Sequence, residues 1–252
     1  MQIDLSKKKI LVTGASRGIG KAIAAFLIKC GAQVAIHYNK SENAITSLSK
    51  QLGNKAYPIQ ANLCHPLEVI QLFIDSAKKM KGLDVIINNA GIAISSPPEA
   101  DDVQWVDDWS ETMMVNLNAT ALLCKKAIQH FEENGGGSII NISSRAAFRG
   151  DTADYLAYAA SKGGIVSLTR SIARAYGKKN IKAFNVAPGF VNTDMAKSFI
   201  DQYGENFALD DISLSKLTTP GDIAPTIAFL ASGMADHATG CTIDINAGSY
   251  VH

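Results

Sequence analysis

The sequence contains few of the features that mark secreted, membrane or metal-binding proteins. Its four cysteines and five histidines are scattered among 252 residues and never fall at the spacing of metal ligands. We therefore predict free thiols, no metal site and a reducing, cytoplasmic compartment. The N-terminus lacks the apolar segment of a signal peptide, and the longest apolar helical stretch, residues 22–28, is too short to span a bilayer.

An excess of charge of one sign is also lacking. The 24 Lys and Arg residues nearly balance the 23 Asp and Glu residues, which gives a net charge of +1. Because nucleic acids and membrane surfaces attract strongly basic proteins, neither is predicted as a partner. Hydrophobic residues, by contrast, make up 47% of the chain, which is enough for a sizeable buried core.

Apolar, strand-like segments alternate with helical patterns along the chain. Predicted strands lie at about residues 8–14, 32–38, 55–61, 83–91, 137–144, 181–189 and 241–248. Predicted helices lie at about residues 18–31, 42–52, 66–81, 103–133, 154–177, 193–203 and 220–232. The alternation predicts a single-domain α/β fold over residues 1–252, with a Rossmann-type, doubly wound parallel sheet in the strand order 3-2-1-4-5-6-7. The irregular segment 189–220 is predicted to be a flexible substrate flap.

A glycine-rich turn, "TGASRGIG", joins the first predicted strand to the first helix. Glycine permits a tight turn and lets a pyrophosphate approach the backbone amides at a helix N-terminus. Because the turn lies inside a βαβ unit, it predicts a dinucleotide site. The predicted cofactor contacts in this turn are Gly14, Ser16, Arg17, Gly18, Ile19 and Gly20.

The glycine spacing resembles that of the short-chain dehydrogenase/reductase family, and later segments match the same family in order. These segments are "NNAG" at 88–91, "MMVNLNA" at 113–119, "NISS" at 141–144, "YAASK" at 158–162 and "NVAPGFVNT" at 185–193. The resemblance covers almost the whole chain. It is strongest to bacterial 3-oxoacyl-[acyl-carrier-protein] reductases and glucose-dehydrogenase-like members.

The resemblance implies a catalytic set of Asn116, Ser144, Tyr158 and Lys162. Hydride transfer to a carbonyl leaves an alkoxide that must be protonated, and Tyr158 is the predicted acid–base residue. Lys162 lies one helical turn away and is expected to lower the tyrosine pKa, as is the charge of an oxidised nicotinamide. In the family the lysine also holds the nicotinamide ribose. The serine polarises the substrate oxygen, and the asparagine anchors a water-linked proton relay.

Two positions in this set have competitors. Ser143 precedes Ser144, and the alignment of "NISS" with the family favours Ser144, although its interval to Tyr158 is one residue longer than usual. Tyr155 also lies on the helix face of Lys162, two turns away, and is expected to line the substrate pocket. The loop 145–154 between serine and tyrosine is rich in charge, so substrate recognition is expected to differ from that of familiar members.

The second predicted strand ends without a carboxylate. Tyr38 and Asn39 occupy the place where NAD-binding units carry an acidic residue, and Arg17 offers a guanidinium to a 2′-phosphate. The predicted cofactor is therefore NADP(H). Asn62 and Leu63 are expected beside the adenine. The remaining predicted cofactor contacts are Asn89, Ala90, Gly91, Tyr158, Lys162, Pro188, Gly189, Val191 and Thr193.

These observations predict an NADP(H)-dependent oxidoreductase that interconverts a ketone or aldehyde and an alcohol. A 3-oxoacyl group on an acyl carrier protein is one candidate substrate; Arg174 supports docking of that acidic carrier, whereas Glu132 and Glu133 weaken it. Two alternatives are an extended-family epimerase or dehydratase and a nicotinamide-dinucleotide sensor without chemistry. The resemblance also implies a homo-oligomer, dimer or tetramer, paired through the helices at 103–133 and 154–177.

Overall fold

The computed structural model describes residues 3–193 and 209–251. Its strands form one parallel sheet in the order β3-β2-β1-β4-β5-β6-β7, which confirms the predicted topology. The strands are β1 (Lys9–Val12), β2 (Gln33–Tyr38), β3 (Ala56–Gln60), β4 (Val85–Asn88), β5 (Gly137–Ile142), β6 (Ile181–Pro188) and β7 (Thr242–Ile245). The assignment of residues 1–252 to one domain stays a prediction.

Helices cover both faces of the sheet. In the described part of the chain they are α1 (Gly18–Lys29), α2 (Glu42–Leu52), α3 (Pro66–Met80), α4 (Asp102–Met113), α5 (Ala119–Glu133), α6 (Ala146–Arg149), α7 (Leu156–Tyr176) and α8 (Pro220–Ala231). Alternate residues of β1 enter two separate cores, because successive side chains of a strand point to opposite faces. Ile10 packs with α1, α2 and α8, whereas Leu11 packs with α3, α5 and α7. Among the described residues no helix is long and apolar enough to cross a membrane.

The helix predicted over 103–133 is not regular. A π-helical turn, Met114–Asn118, separates α4 from α5. Asn116 lies at the centre of this turn, and its side-chain Oδ1 accepts a hydrogen bond from Ile92 N at 2.8 Å. Its backbone carbonyl accepts from Thr120 Oγ1 at 2.7 Å. A wider turn changes which side chains face the sheet, and sequence periodicity does not reveal it. The short helix α6 was likewise not predicted, and α7 begins at Leu156 after a 3₁₀ turn.

The predicted flap lies partly outside the described residues, as does the helix predicted at 193–203. The described ends of the 189–220 segment are joined by a parallel bridge between Val191 and Thr218. Further along, Ser213 N donates to Ala247 O at 2.8 Å. These bonds hold the described flanks of the segment beside the carboxyl edge of the sheet, next to β6 and the chain after β7.

Helix α1 packs tightly against the glycine turn and Asn89 at Gly20, and this contact supplies a stability test. A Cβ at Gly20 would lie 2.2 Å from Gly14 O and 2.5 Å from Asn89 Nδ2. We expect Gly20→Ala to lower the free energy of unfolding by about 1–3 kcal/mol, because the helix must move off the glycine turn. Chemical denaturation measures the change.

Gly177→Ala is the matched control for this experiment. Nothing lies within 4 Å of a Cβ at Gly177, and its φ of −56° suits alanine. This variant should therefore be neutral or more stable by up to about 1 kcal/mol. Equal losses for the two variants would contradict the proposed helix–sheet contact.

Candidate functional site

The glycine turn has the shape of an anion cradle. Gly14 and Gly18 have positive φ values of +63° and +53°, which side-chain-bearing residues rarely adopt. Helix α1 begins inside this segment, at Gly18, with no side-chain cap and no acidic residue in its first turn. Its N-terminal amides and positive dipole end therefore suit a phosphate group. The residues of the turn fit the pyrophosphate of a dinucleotide.

The "NNAG" segment and Thr13 hold this turn in place. Asn89 Nδ2 donates to Thr13 O at 2.9 Å and to Gly14 O at 3.2 Å. In return, Thr13 Oγ1 accepts from the backbone amides of Asn89 and Ala90 at 2.9 and 3.0 Å. Asn89 and Ala90 were predicted as cofactor contacts, but Thr13 was not, because a threonine at a strand end carries no distinctive sequence signal.

His37, on β2, is a second residue that sequence reasoning missed. Its Nδ1 accepts a hydrogen bond from Gly14 N at 3.0 Å, so its Nε2 carries the proton that bonds Ala61 O at 3.0 Å. The ring is 2% exposed, and desolvation lowers its pKa to about 4. The neutral imidazole thus joins the glycine turn to the end of β3.

A cavity of about 520 Å³ opens beside the turn at the carboxyl edge of β4, β5 and β6. The same cavity brings together predicted residues from five separate segments of the chain. Those that line it are Arg17, Ile19, Asn89, Gly91, Ser144, Tyr155, Tyr158, Lys162, Pro188, Gly189, Val191 and Thr193. The parallel sheet therefore places the glycine turn and the Tyr-x3-Lys pair at one site.

Nine predicted cofactor residues do not line this cavity. Five of them belong to the glycine turn or to the segment bonded to it, namely Gly14, Ser16, Gly18, Gly20 and Ala90. The other four lie elsewhere. Asn39 and Asn62 line a separate open depression. Tyr38 packs against the core beside α1, and Leu63 is buried in the core on the opposite face. Asn62 Oδ1 accepts a hydrogen bond from Cys64 N at 3.0 Å, and its contact with adenine stays a prediction.

Tyr158 and Lys162 lie one turn apart on α7. The Lys162 ammonium is 3% exposed, donates to Ile142 O at 3.0 Å and lies 5.5 Å from the centroid of the Tyr158 ring. Desolvation lowers the pKa of Lys162 to about 8. For Tyr158, desolvation raises the pKa to about 12, a hydrogen bond with Ser144 opposes the rise, and Asp151 adds to it.

The direction of the Tyr158 pKa differs from the sequence expectation, which assigned the lysine a lowering effect. The physical reason is that the residues around the phenol exclude water, which destabilises the phenolate and raises the pKa. This effect is larger than the lowering effect of the neighbouring groups. The surrounding protein therefore keeps the Tyr158 phenol protonated at neutral pH. This is the state that a proton donor needs.

The two serines after β5 have different partners. Ser143 Oγ accepts from Asn185 Nδ2 at 2.9 Å and donates to Val186 O at 3.3 Å, so it links β5 to β6. Ser144 Oγ accepts from Ala146 N at 3.1 Å and shares a hydrogen bond with Tyr158. The geometry favours Ser144 as the residue that acts with the tyrosine.

Asn116 is fully buried and does not line the cavity. Its Oδ1 accepts from Ile92 N at 2.8 Å, and its Nδ2 donates to Ile92 O at 2.9 Å and to Ser161 Oγ at 3.0 Å. Ser161 Oγ in turn donates to the backbone carbonyl of Tyr158 at 2.7 Å. The Asn116 carboxamide therefore orients the turn of α7 that carries the tyrosine.

Comparisons with known proteins agree with this fold. A family model described as "Enoyl-(Acyl carrier protein) reductase" matches residues 14–250. A solved short chain dehydrogenase from Burkholderia cenocepacia J2315, in complex with NADP, has a TM-score of 0.90 and 30% identity, and the match covers 99% of both chains. The chain belongs to the short-chain dehydrogenase/reductase family and is an oxidoreductase of that family, as predicted.

Two relatives that match over nearly their full length share one name. "3-oxoacyl-[acyl-carrier-protein] reductase FabG" of Staphylococcus aureus (strain N315) is 36% identical over 97% of this chain and 98% of that protein. The protein of the same name from Aquifex aeolicus (strain VF5) is 31% identical over 99% of this chain and 100% of that protein. A solved 3-ketoacyl-(acyl-carrier-protein) reductase from Brucella melitensis, complexed with NADH, has a TM-score of 0.89 and 27% identity, covering 98% of this chain and all of that chain.

The buried His37 predicts a specific pH dependence of stability. Its pKa falls from 6.5 in the unfolded chain to about 4 in the folded protein. Between these values only the unfolded chain binds the proton, so His37 lowers stability as the pH falls from 6.5 towards 4. The difference corresponds to roughly 3 kcal/mol.

His37→Asn removes this titration. We expect the free energy of unfolding of the wild type to fall more steeply than that of His37→Asn between pH 7 and pH 4.5, in denaturant titrations at each pH. Other ionisable groups affect both proteins and cancel in the comparison. Parallel pH profiles would contradict the neutral, buried imidazole.

Proposed function

We propose that the protein is an NADP(H)-dependent oxidoreductase that reduces a ketone of the 3-oxoacyl type to a secondary alcohol. The observation that carries this proposal is the convergence of Ser144, Tyr158 and Lys162 in the cavity next to the glycine turn. A bound nicotinamide supplies the hydride for this reaction. The rest of the chemistry, which is proton donation and orientation of the substrate oxygen, belongs to the side chains of the chain.

Each side chain of the proposed catalytic set has one task. The Tyr158 phenol keeps its proton at neutral pH, because its pKa is about 12, and donates it to the oxygen that becomes the alcohol. Ser144 donates a hydrogen bond to the same substrate oxygen. Lys162, with a pKa of about 8, is mainly cationic at neutral pH and stabilises negative charge beside the phenol. Asn116 is a positioning residue.

The choice of NADP(H) rests on Arg17 and on the end of β2. Arg17 is exposed at the N-terminus of α1, lines the cavity and is the first charged side chain of the glycine turn. The residues at the end of β2, Tyr38 and Asn39, carry no negative charge that would repel a 2′-phosphate. One solved relative holds NADP and another holds NADH, so the relatives do not indicate one cofactor. We therefore base the proposed preference for NADP(H) on Arg17, Tyr38 and Asn39.

The 3-oxoacyl type of substrate follows from the relatives named 3-oxoacyl-[acyl-carrier-protein] reductase. Docking of an acyl carrier protein receives mixed support from this chain. Arg174 is exposed on α7, but the nearby Lys179 forms an ion pair with Glu132, which reduces the positive charge available to an acidic carrier. We therefore propose a ketone substrate that is not attached to an acyl carrier protein.

We also propose a cytoplasmic homo-oligomer. The four cysteines are free thiols, which suits a reducing compartment. Helix α4 exposes Val103 and Val106 by 70% and 55%, beside the stacked pair of Trp105 and Trp109. Apolar side chains grouped on one helix suit contact with another subunit.

Tyrosine substitutions test the catalytic assignment. We expect Tyr158→Phe to lower kcat for NADPH-dependent ketone reduction by roughly 10²–10⁴-fold, because the proton donor is lost while the ring remains. Tyr155→Phe is the matched control and should mainly change KM, because Tyr155 lines the cavity beside the substrate. Steady-state kinetics on a panel of 3-oxo compounds separates the two.

A dead Tyr155→Phe with an active Tyr158→Phe would overturn this assignment. If the wild type bound NADPH tightly yet reduced no compound of the panel, the sensor alternative would replace the oxidoreductase proposal. Binding of NADPH is followed separately, by titration of its fluorescence.

Arg17→Gln tests the cofactor preference. Loss of a charge-assisted contact with the 2′-phosphate should weaken NADPH binding by roughly 10- to 100-fold and leave NADH binding within a few fold. Lys50→Gln is a suitable control, since Lys50 is exposed in the last turn of α2. A wild-type protein that binds NADH more tightly than NADPH would refute the preference.

A further inference from the structure

Two guanidinium groups stand on the substrate side of the cavity. Arg145 directly follows Ser144, is 7% exposed and lies 4.4 Å from the centre of the Phe190 ring. Arg149 lies one turn further along α6, and both arginines line the cavity that contains Tyr158. The interval between Ser144 and Tyr158 is one residue longer than usual, and the loop 145–154 within it places two positive charges in the cavity beside Tyr158.

A single carboxylate joins both arginines. Asp211, in the described segment before α8, forms an ion pair with Arg145 and accepts from Arg149 Nη1 at 2.9 and 3.0 Å. A buried guanidinium needs such a partner, because desolvation and the neighbouring Arg149 both lower the pKa of Arg145 while Asp211 opposes them. The Asp211 side chain is 26% exposed, so the ion pair stands where solvent and ligands reach it.

We propose that Arg145 and Arg149 bind the carboxylate of the substrate, which replaces Asp211, so that the enzyme prefers oxo acids to neutral ketones. The Phe190 ring packs against the Arg145 guanidinium, and a planar guanidinium recognises a planar carboxylate through paired hydrogen bonds. The incoming group then has the shape and charge of the side chain that it displaces.

The charges of this cluster favour a carboxylate over a phosphate. Arg145 and Arg149 are balanced by Asp211 and by Asp151 at the cavity rim, so the cluster has no net charge. A singly charged carboxylate that exchanges with Asp211 preserves the local pairing of the guanidiniums. A doubly charged phosphate that exchanged with Asp211 would leave the cluster with one excess negative charge beside Asp151.

The inference rests on the proposed ketone reduction and names its substrate class. The test compares a 3-oxo acid with its methyl ester of the same chain length, using purified full-length enzyme and NADPH at pH 7. We expect kcat/KM for the acid to exceed that for the ester by at least about tenfold, because a pair of charge-assisted hydrogen bonds is at stake. A ratio of one or below would overturn the inference.

Variants separate substrate binding from a purely structural ion pair. Arg149→Gln should reduce the acid-to-ester ratio of kcat/KM by about tenfold or more, whereas Arg170→Gln, an exposed arginine on the far end of α7, should leave the ratio at its wild-type value. Asp211→Asn removes the competing carboxylate and should lower KM for the acid several-fold. Equal losses with acid and ester in both Arg149→Gln and Asp211→Asn would indicate a structural ion pair and refute the proposal.

Thermal stabilisation by the same two compounds distinguishes this inference from the proposed function. If neither compound is reduced, the ketone-reductase proposal fails. Carboxylate binding by Arg145 and Arg149 is then tested by thermal stabilisation alone. Greater stabilisation of the wild type by the acid than by the ester, lost in Arg149→Gln, supports carboxylate binding. Equal stabilisation by both compounds refutes it.

Discussion

The parallel register of β4, β5 and β6 is the constraint on which the rest of this structure depends. Asn88, Asn141 and Asn185 lie side by side in that register, and Asn88 Nδ2 donates to Asn141 Oδ1 at 2.8 Å. Because the three strands run parallel in this register, the segments that follow them emerge at one edge of the sheet. The cavity contains Gly91, Ser144 and Pro188 together for this reason.

Burial at that edge then sets the chemistry of the ionisable groups. Removing water raises the pKa of Tyr158 to about 12 and lowers those of Lys162 and His37 to about 8 and about 4. A protonated phenol, a mainly cationic amine and a neutral imidazole are the result at neutral pH. The first two serve the proposed proton donation, and the third holds the glycine turn without adding charge to it.

The substrate side of the cavity depends on contacts over long sequence distances. Arg145 and Asp211 are far apart in the chain, yet they form one ion pair beside the proposed catalytic tyrosine. The charged 145–154 loop was expected to alter substrate recognition, but its partner in the segment before α8 was not foreseen. Ion pairs of this kind have no spacing rule, because they depend on how two loops pack rather than on a helix or strand period.

The sequence by itself determined the class of fold, the strand order and the residues of the glycine turn and the Tyr-x3-Lys pair. Each of these follows from local periodicity, from glycine's conformational freedom, or from a motif that resembles a known family. Only the tertiary structure decided the π-helical turn around Asn116, the tie from His37 to Gly14, and the shared carboxylate of Asp211. It also decided that Tyr158 has a raised pKa, because desolvation depends on every wall of the cavity and not on the one lysine that the motif names.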